Sequence, residues 1–318
     1  MIRRRHLLAM PLLAAPGTAR AQGWPTRPVT VVVPYLAGGP SDVFGRVVAA
    51  PMLQRLGQPG VVENRAGANG GIAAGLVARA APDGHTLLVV AGGIMTINPL
   101  LMPNPGYDPV RDFAPVTIGI RAPNVLVVPA ASAATTLDAF LAGAKSGGVT
   151  YGTPGIGSSE HLTMAMLVQR AGVEMTHVPY PGVAQTITDL LGGTLQSGFL
   201  GLGATLAHIR AGRLRPLAVS STERSPALPD VPAAAERYPG FLAHSWQGLV
   251  APRATPEPVL EGLHALTDEA LAAPEARARL EALGFTVVAS SRAEMAEVVA
   301  GETERWRGVI RDARITLG

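Results

Sequence analysis

The chain has 318 residues, 47% of them apolar, which is enough for a sizeable core and for two domains of ordinary size. It contains no cysteine, which excludes disulfides, thiolate chemistry and Cys-ligated metals. The net charge of +3 lies partly in the first 21 residues, which carry Arg3, Arg4, Arg5 and Arg20 and no acid; residues 22–318 hold 22 basic against 23 acidic side chains. No basic surplus remains to argue for nucleic acid, and no window nears the ~18 apolar residues of a membrane span.

Arg3-Arg4-Arg5, the apolar Leu7 to Ala15, and Ala19-Arg20-Ala21 before Gln22 form a basic segment, a short hydrophobic segment and an A-x-A site. This is a secretory signal peptide, cleaved after Ala21, and it predicts a periplasmic protein. Arg4-Arg5-His6-Leu7-Leu8 loosely matches a twin-arginine signal, so the export route stays open.

Next comes a β-branched run, Val29 to Val33, then the turn Pro34-Tyr35-Leu36-Ala37-Gly38-Gly39-Pro40-Ser41-Asp42. A helical pattern succeeds it, with Val43, Val47, Val48 and Leu53 on one side. N–H groups at a helix start have no intrahelical partner and carry partial positive charge, so this strand–turn–helix is competent to hold an anion. It is not a dinucleotide GxGxxG, and the only lysine, Lys145, is not a phosphate-loop lysine. Ser41 or Asp42 is expected to cap the helix.

Val61 to Asn64 reads as a second strand, Arg65 to Gly71 as a loop and Ile72 to Ala81 as a small-residue helix. Thr86 to Val90 reads as a buried strand ending in a flexible Ala91-Gly92-Gly93. Residues 98–112 read as irregular. Two strands, Val116 to Ile120 and Val125 to Val128, flank Ala122-Pro123-Asn124. A helix at 137–144, a strand at 149–151, the turn Gly152 to Ser158 and a helix from Ser159 to Ala171 repeat the opening unit. Strands at 174–178, 199–203, 214–220 and 249–251 alternate with helices at 184–191 and 206–211. Three helices close the chain near 256–272, 274–283 and 292–313. Such alternation predicts a parallel, doubly wound α/β architecture, with both Gly/Ser turns at carboxyl ends of strands where ligands bind.

Ser158, His161 and Asp189 are the parts of a possible hydrolase triad. However, Gly155-Ile156-Gly157-Ser158-Ser159 is not G-x-S-x-G, and Ser158 and His161 share one helix start. The histidines are scattered, without a zinc spacing, so no metal and no cofactor is expected. His177 reads as a core histidine. Tyr180, between Pro179 and Pro181, is equally a cleft or a packing residue.

Several short motifs occur in a shared order: Trp24-Pro25-Thr26-Arg27-Pro28, Val33-Pro34-Tyr35 with Gly38-Gly39 and Asp42, Val62-Glu63-Asn64-Arg65, Ala81-Pro82-Asp83-Gly84, and Tyr107-Asp108-Pro109. They continue with Gly157-Ser158-Ser159 and His161, His177-Val178-Pro179-Tyr180, and Leu228-Pro229-Asp230-Val231-Pro232. In this order they resemble the tripartite tricarboxylate transporter substrate-binding proteins, the Bug family of periplasmic receptors.

The resemblance implies a non-enzymatic, monomeric solute receptor with a two-lobed, type II-like periplasmic binding protein fold. Each lobe would hold a mostly parallel sheet flanked by helices, with two interlobe crossovers. Lobe 1 would take 23–122 and 223–318, and lobe 2 would take 123–222. A small organic carboxylate would lie between Tyr35, Ala37, Gly38, Gly39 and Asp42 on one side and Gly155, Ser158 and Ser159 on the other, and a membrane permease or a sensor would be the partner. Leu200 and Gly201 stand where many relatives have an Asp-Asn pair. If Leu200 lines the cleft, the site lacks an acid for an ammonium group.

Overall fold

The computed structural model describes residues 24–317, so the expected signal peptide lies outside the described residues. The chain opens with β1 (Val29–Val33), α1 (Pro40–Leu56), β2 (Gly60–Asn64), α2 (Gly71–Ala78), β3 (Thr86–Ala91), α3 (Gly92–Thr96) and α4 (Asn98–Leu101). A long strand, β4 (Phe113–Pro129), then leads into α5 (Leu137–Ala144), β5 (Thr150–Thr153), α6 (Ser159–Ala171), β6 (Thr176–Pro179), α7 (Val183–Leu191), β7 (Gly198–Gly201), α8 (Leu202–Arg210) and β8 (Leu214–Val219). The chain returns through α9 (Ala234–Arg237) and β9 (His244–Pro252), and ends with α10 (Glu257–Ala272), α11 (Pro274–Ala282), β10 (Thr286–Val287) and α12 (Arg292–Asp312).

The pairing is mixed rather than mostly parallel. β2–β1–β3 and β5–β6 are parallel, whereas β9, β10, β7 and β8 all pair antiparallel. The reason is β4, which serves both halves of the molecule. Its first half pairs with β9 and β10, its second with β7 and β8, and the exchange falls between Pro123, opposite His244, and Asn124, opposite Gly201. The Ala122-Pro123-Asn124 break expected between two strands is therefore a change of partner within one strand. Proline lacks the N–H a ladder needs, so it is tolerated where one ladder hands over to another.

The second passage between halves is joined to the first at Ser220. Its N–H donates to Asn124 O at 2.9 Å, its hydroxyl accepts from Asn124 N–H at 2.8 Å and donates to Ala243 O at 2.6 Å.

The strands are apolar without alternation because both faces are covered. Val29, Val31 and Val33 of β1 pack with Phe44, Leu260 and Leu263, while Val32 packs on the opposite face with Ala73, Trp246 and Met295. A third core, under the second half of β4, gathers Leu126, Val128, Leu162, Phe199 and Trp306. Glycine at 119 is a packing requirement, since a Cβ there would lie 2.1 Å from the Phe44 ring. Gly92 is required likewise: a Cβ would meet the Trp246 indole at 2.7 Å, and the expected flexible Gly92-Gly93 is instead the start of α3.

Candidate functional site

The first turn is built around Asp42, and neither Ser41 nor Asp42 is the helix cap. Gly39 occupies that position without a side-chain bond. Asp42 instead collects donors from three elements: Gly38 N–H at 3.0 Å, Arg46 Nε at 3.0 Å and Asn64 Nδ2 at 3.0 Å. These donors and the Arg46 charge outweigh burial and hold its carboxyl at about 2. Asn64 also donates to Tyr35 O at 2.9 Å, which fixes the strand end to the turn. Ser41 donates to Gln247 Oε1 of β9 at 2.5 Å. Gly38 adopts φ +89°, which glycine permits and a side chain resists, and Leu36, Ala37 and Gly38 are exposed at the tip.

The second turn lies between β5 and α6. Ser158 is the N-cap: its hydroxyl accepts from His161 N–H at 3.1 Å and donates to Gly155 O at 2.9 Å. The His161 ring does not face that hydroxyl, because its Nδ1 accepts from Gly157 N–H at 3.2 Å and its face stacks 3.9 Å from His177. Burial, together with His177, pulls His161 down to about 3, and burial pulls His177 down to about 4. Ser158 therefore has no base, and the hydrolase arrangement is not formed. His177 is bonded to Thr153 at 2.7 Å, as a packed structural histidine.

Tyr35 of the first turn and Glu160 after the second lie within electrostatic reach of each other. α4 delivers Leu101 to within 2.7 Å of where a Cβ on Gly157 would stand, so only glycine admits it. Burial pushes the Tyr35 hydroxyl well above its ordinary pKa, aided by Tyr107 and by Glu160 across the gap.

Glu160 is the site residue that sequence reasoning misses. It accepts from Ser159 Oγ at 3.0 Å, and its Oε1 lies 4.0 Å from the position a Cβ on Gly201 would take. Burial raises its carboxyl above the usual range, only partly countered by its own N–H, Ser159 and Ser158, and no cation contributes. Gly201, having no side chain, leaves room for this carboxyl.

Leu200, by contrast, is 0% exposed and packs in the core. The Tyr180 hydroxyl donates to Asp189 at 2.7 Å, and its backbone bonds Thr153. Of the predicted residues, Tyr35, Gly38 and Gly39 lie in the first turn, and Gly155, Ser158 and Ser159 in the second or at the start of α6. Among the described residues no cluster of three His, Asp or Glu could hold a metal, and no helix is long and apolar enough to cross a membrane.

Comparison with known proteins gives this arrangement its context. The profile of the tripartite tricarboxylate transporter family receptor matches residues 44–315. The chain belongs to that family. It is 36% identical to the Bordetella pertussis protein BugT over 309 residues, 96% of this chain and 94% of BugT. Among solved structures it resembles Rpa4515 of R. palustris with adipate, at TM-score 0.83 and 35% identity over 92% of this chain and 99% of that one. MatC from Rhodopseudomonas palustris with bound malate aligns at TM-score 0.79 and 35% identity, over 90% and 100% of the two chains. This receptor therefore has the α/β periplasmic binding protein fold and is a solute-binding protein, not an enzyme.

Proposed function

We propose that this receptor captures a small organic carboxylate between the two turns, and that the observation carrying this reading is the electrostatic reach between Tyr35 and Glu160. Each turn leads into a helix start, α1 or α6, and a helix start favours negative charge. The adipate and malate held by its relatives are of this class. Tyr35, Ala37, Gly38 and Gly39 contribute from one side, with Asp42 shaping their turn from beneath. Gly155, Ser158 and Ser159 contribute from the other, Ser158 as cap. Tyr180 and Leu200 act as supports behind the site.

In this reading lobe 1 is 23–122 and 223–318 and lobe 2 is 123–222, with β4 one of the two crossing segments. Hinge closure at the two crossing segments traps the ligand. The exported, monomeric receptor, cleaved after Ala21, then presents its cargo to a membrane permease or a sensor.

A thermal-shift screen of the processed protein against mono-, di- and tricarboxylates tests this. A ligand at about 100 times its Kd stabilises the folded state by about 2.7 kcal/mol, a shift of several degrees. The shift is expected to vanish in Gly38→Val, which strains the turn without a clash, since nothing lies within 4 Å of the added Cβ. No shift with any acid would refute the carboxylate reading.

A further inference from the structure

A cavity of about 550 Å3 lies beside the crossing segments on the α12 side, and no residue of the two turns lines it. Arg121 of β4, His244 of β9 and Arg305 of α12 converge on its wall. The charges of both arginines act on the His244 ring, which burial and then those cations pull down to about 4, so the ring is neutral. Among the described residues no acid pairs with either guanidinium. Arg305 Nη1 is buried without any hydrogen-bond partner. A buried donor on a permanent cation costs free energy unless something accepts from it.

The acids of the same cavity do not fill that role. Glu302 accepts from Trp246 Nε1 at 2.9 Å, and burial raises its carboxyl to about 7 despite Trp246 and Arg305, which weakens its charge. Glu294 accepts from Ser291 N–H at 2.7 Å in the capping box of α12. Glu297 is exposed. Along a helix rising 1.5 Å per residue it stands about 12 Å from Arg305, at the other end of the cavity. The wall also carries an apolar patch, Leu242, Val288 and Val298, beside Ser290 and Glu302.

We propose that this cavity is a second ligand site, for an organic anion whose acidic group meets Arg121 and Arg305 and whose apolar body lies along Leu242, Val288 and Val298. It is separate from the cleft and does not depend on the carboxylate reading. The buried Arg305 donor calls for an acceptor that no residue supplies, and exposed Arg121 brings a second cation to the same wall. The apolar stretch beside them favours an aromatic or aliphatic acid over an inorganic anion.

Fluorine NMR of para-fluorobenzoate with the processed full chain tests it. A bound resonance is expected in the wild type, with affinity reduced about tenfold or more in Arg305→Met and Arg121→Gln, a loss of about 1.4 kcal/mol. Arg121 is exposed, so that variant folds even where Arg305→Met is impaired. Gly38→Val, which disables the cleft, is expected to leave this resonance in place. Unchanged affinity in both arginine variants would overturn the proposal. So would loss of the resonance in Gly38→Val alone, which would assign the probe to the cleft, or the absence of any bound resonance at millimolar probe. Failure of the cleft screen with this resonance intact would remove only the carboxylate reading.

Discussion

The two turns are made of similar residues, yet they treat their acids in opposite ways. Asp42 is buried, bonded by Gly38, Arg46 and Asn64, and held at about 2. Glu160 has a serine hydroxyl and its own helix start for company, no cation, and a raised pKa. The first acid is a structural element that shapes a loop. The second has few donors and no cation, so burial disfavours its charged form. An acid at a helix start is thus structural or functional according to the donors brought to it from other elements, not according to its type.

Removing the satisfied acid is expected to have the largest effect. Asp42→Ala leaves the Gly38 N–H, Arg46 and Asn64 without their acceptor and is expected to cost about 2–4 kcal/mol, read as a fall of several degrees in Tm. Its folded pKa lies below the ordinary value of 3.8, so the stability it confers is complete above about pH 4. That contribution, about 2 kcal/mol, is lost as pH falls towards 2. The variant should lack this acid-side decline in a pH series of denaturant titrations. A wild-type-like decline would show that Asp42 is not its source.

Glu160→Gln is expected to act on binding rather than folding. With a raised folded pKa, the charged form is disfavoured, so wild-type stability and affinity for carboxylates increase as pH falls through that pKa. The neutral amide should bind carboxylates more tightly than the wild type at any pH above that pKa, and its affinity should be flat with pH. Tyr35, which shares an electrostatic interaction with Glu160, has its hydroxyl pKa raised by burial and stays neutral. Calorimetry across a pH series checks the slope, and parallel slopes in the two proteins would assign the dependence elsewhere.

The smallest effect is expected at the cap. Ser158→Ala removes the acceptor for His161 N–H and should cost about 1 kcal/mol without altering the response to serine-reactive probes, which neither protein should bind.

Much of this organisation is legible in the residues. The β-branched run before Pro34 and the glycines and serines at helix starts place both turns, and the ordered motifs point to the family. Leu200 is not a cleft residue, and its pattern could not show this because β7 is covered on both faces. Phe199 and Leu200 are both 0% exposed, so alternation gives no sign of which side chain meets a cleft. Glu160 escapes notice when the acid is sought at 200–201. The available signal is its place second in the helix whose start forms the site. Asn64 stands out within the Val62-Glu63-Asn64-Arg65 motif, but its role beneath Asp42 requires β2 to lie beside β1.

The sequence alone settled the absence of thiol chemistry, placed most of the strands and helices, and marked the two Gly/Ser turns, since each stems from local composition and spacing. Only the tertiary structure decided that β4 is one strand with two sets of partners, that Asp42 is satisfied and Glu160 is not, and that Arg121, His244 and Arg305 share one cavity. Those outcomes depend on which donors, charges and rings arrive from residues tens to hundreds of positions away. Long-range packing sets the desolvation and hydrogen bonding of each group, and no local pattern encodes either.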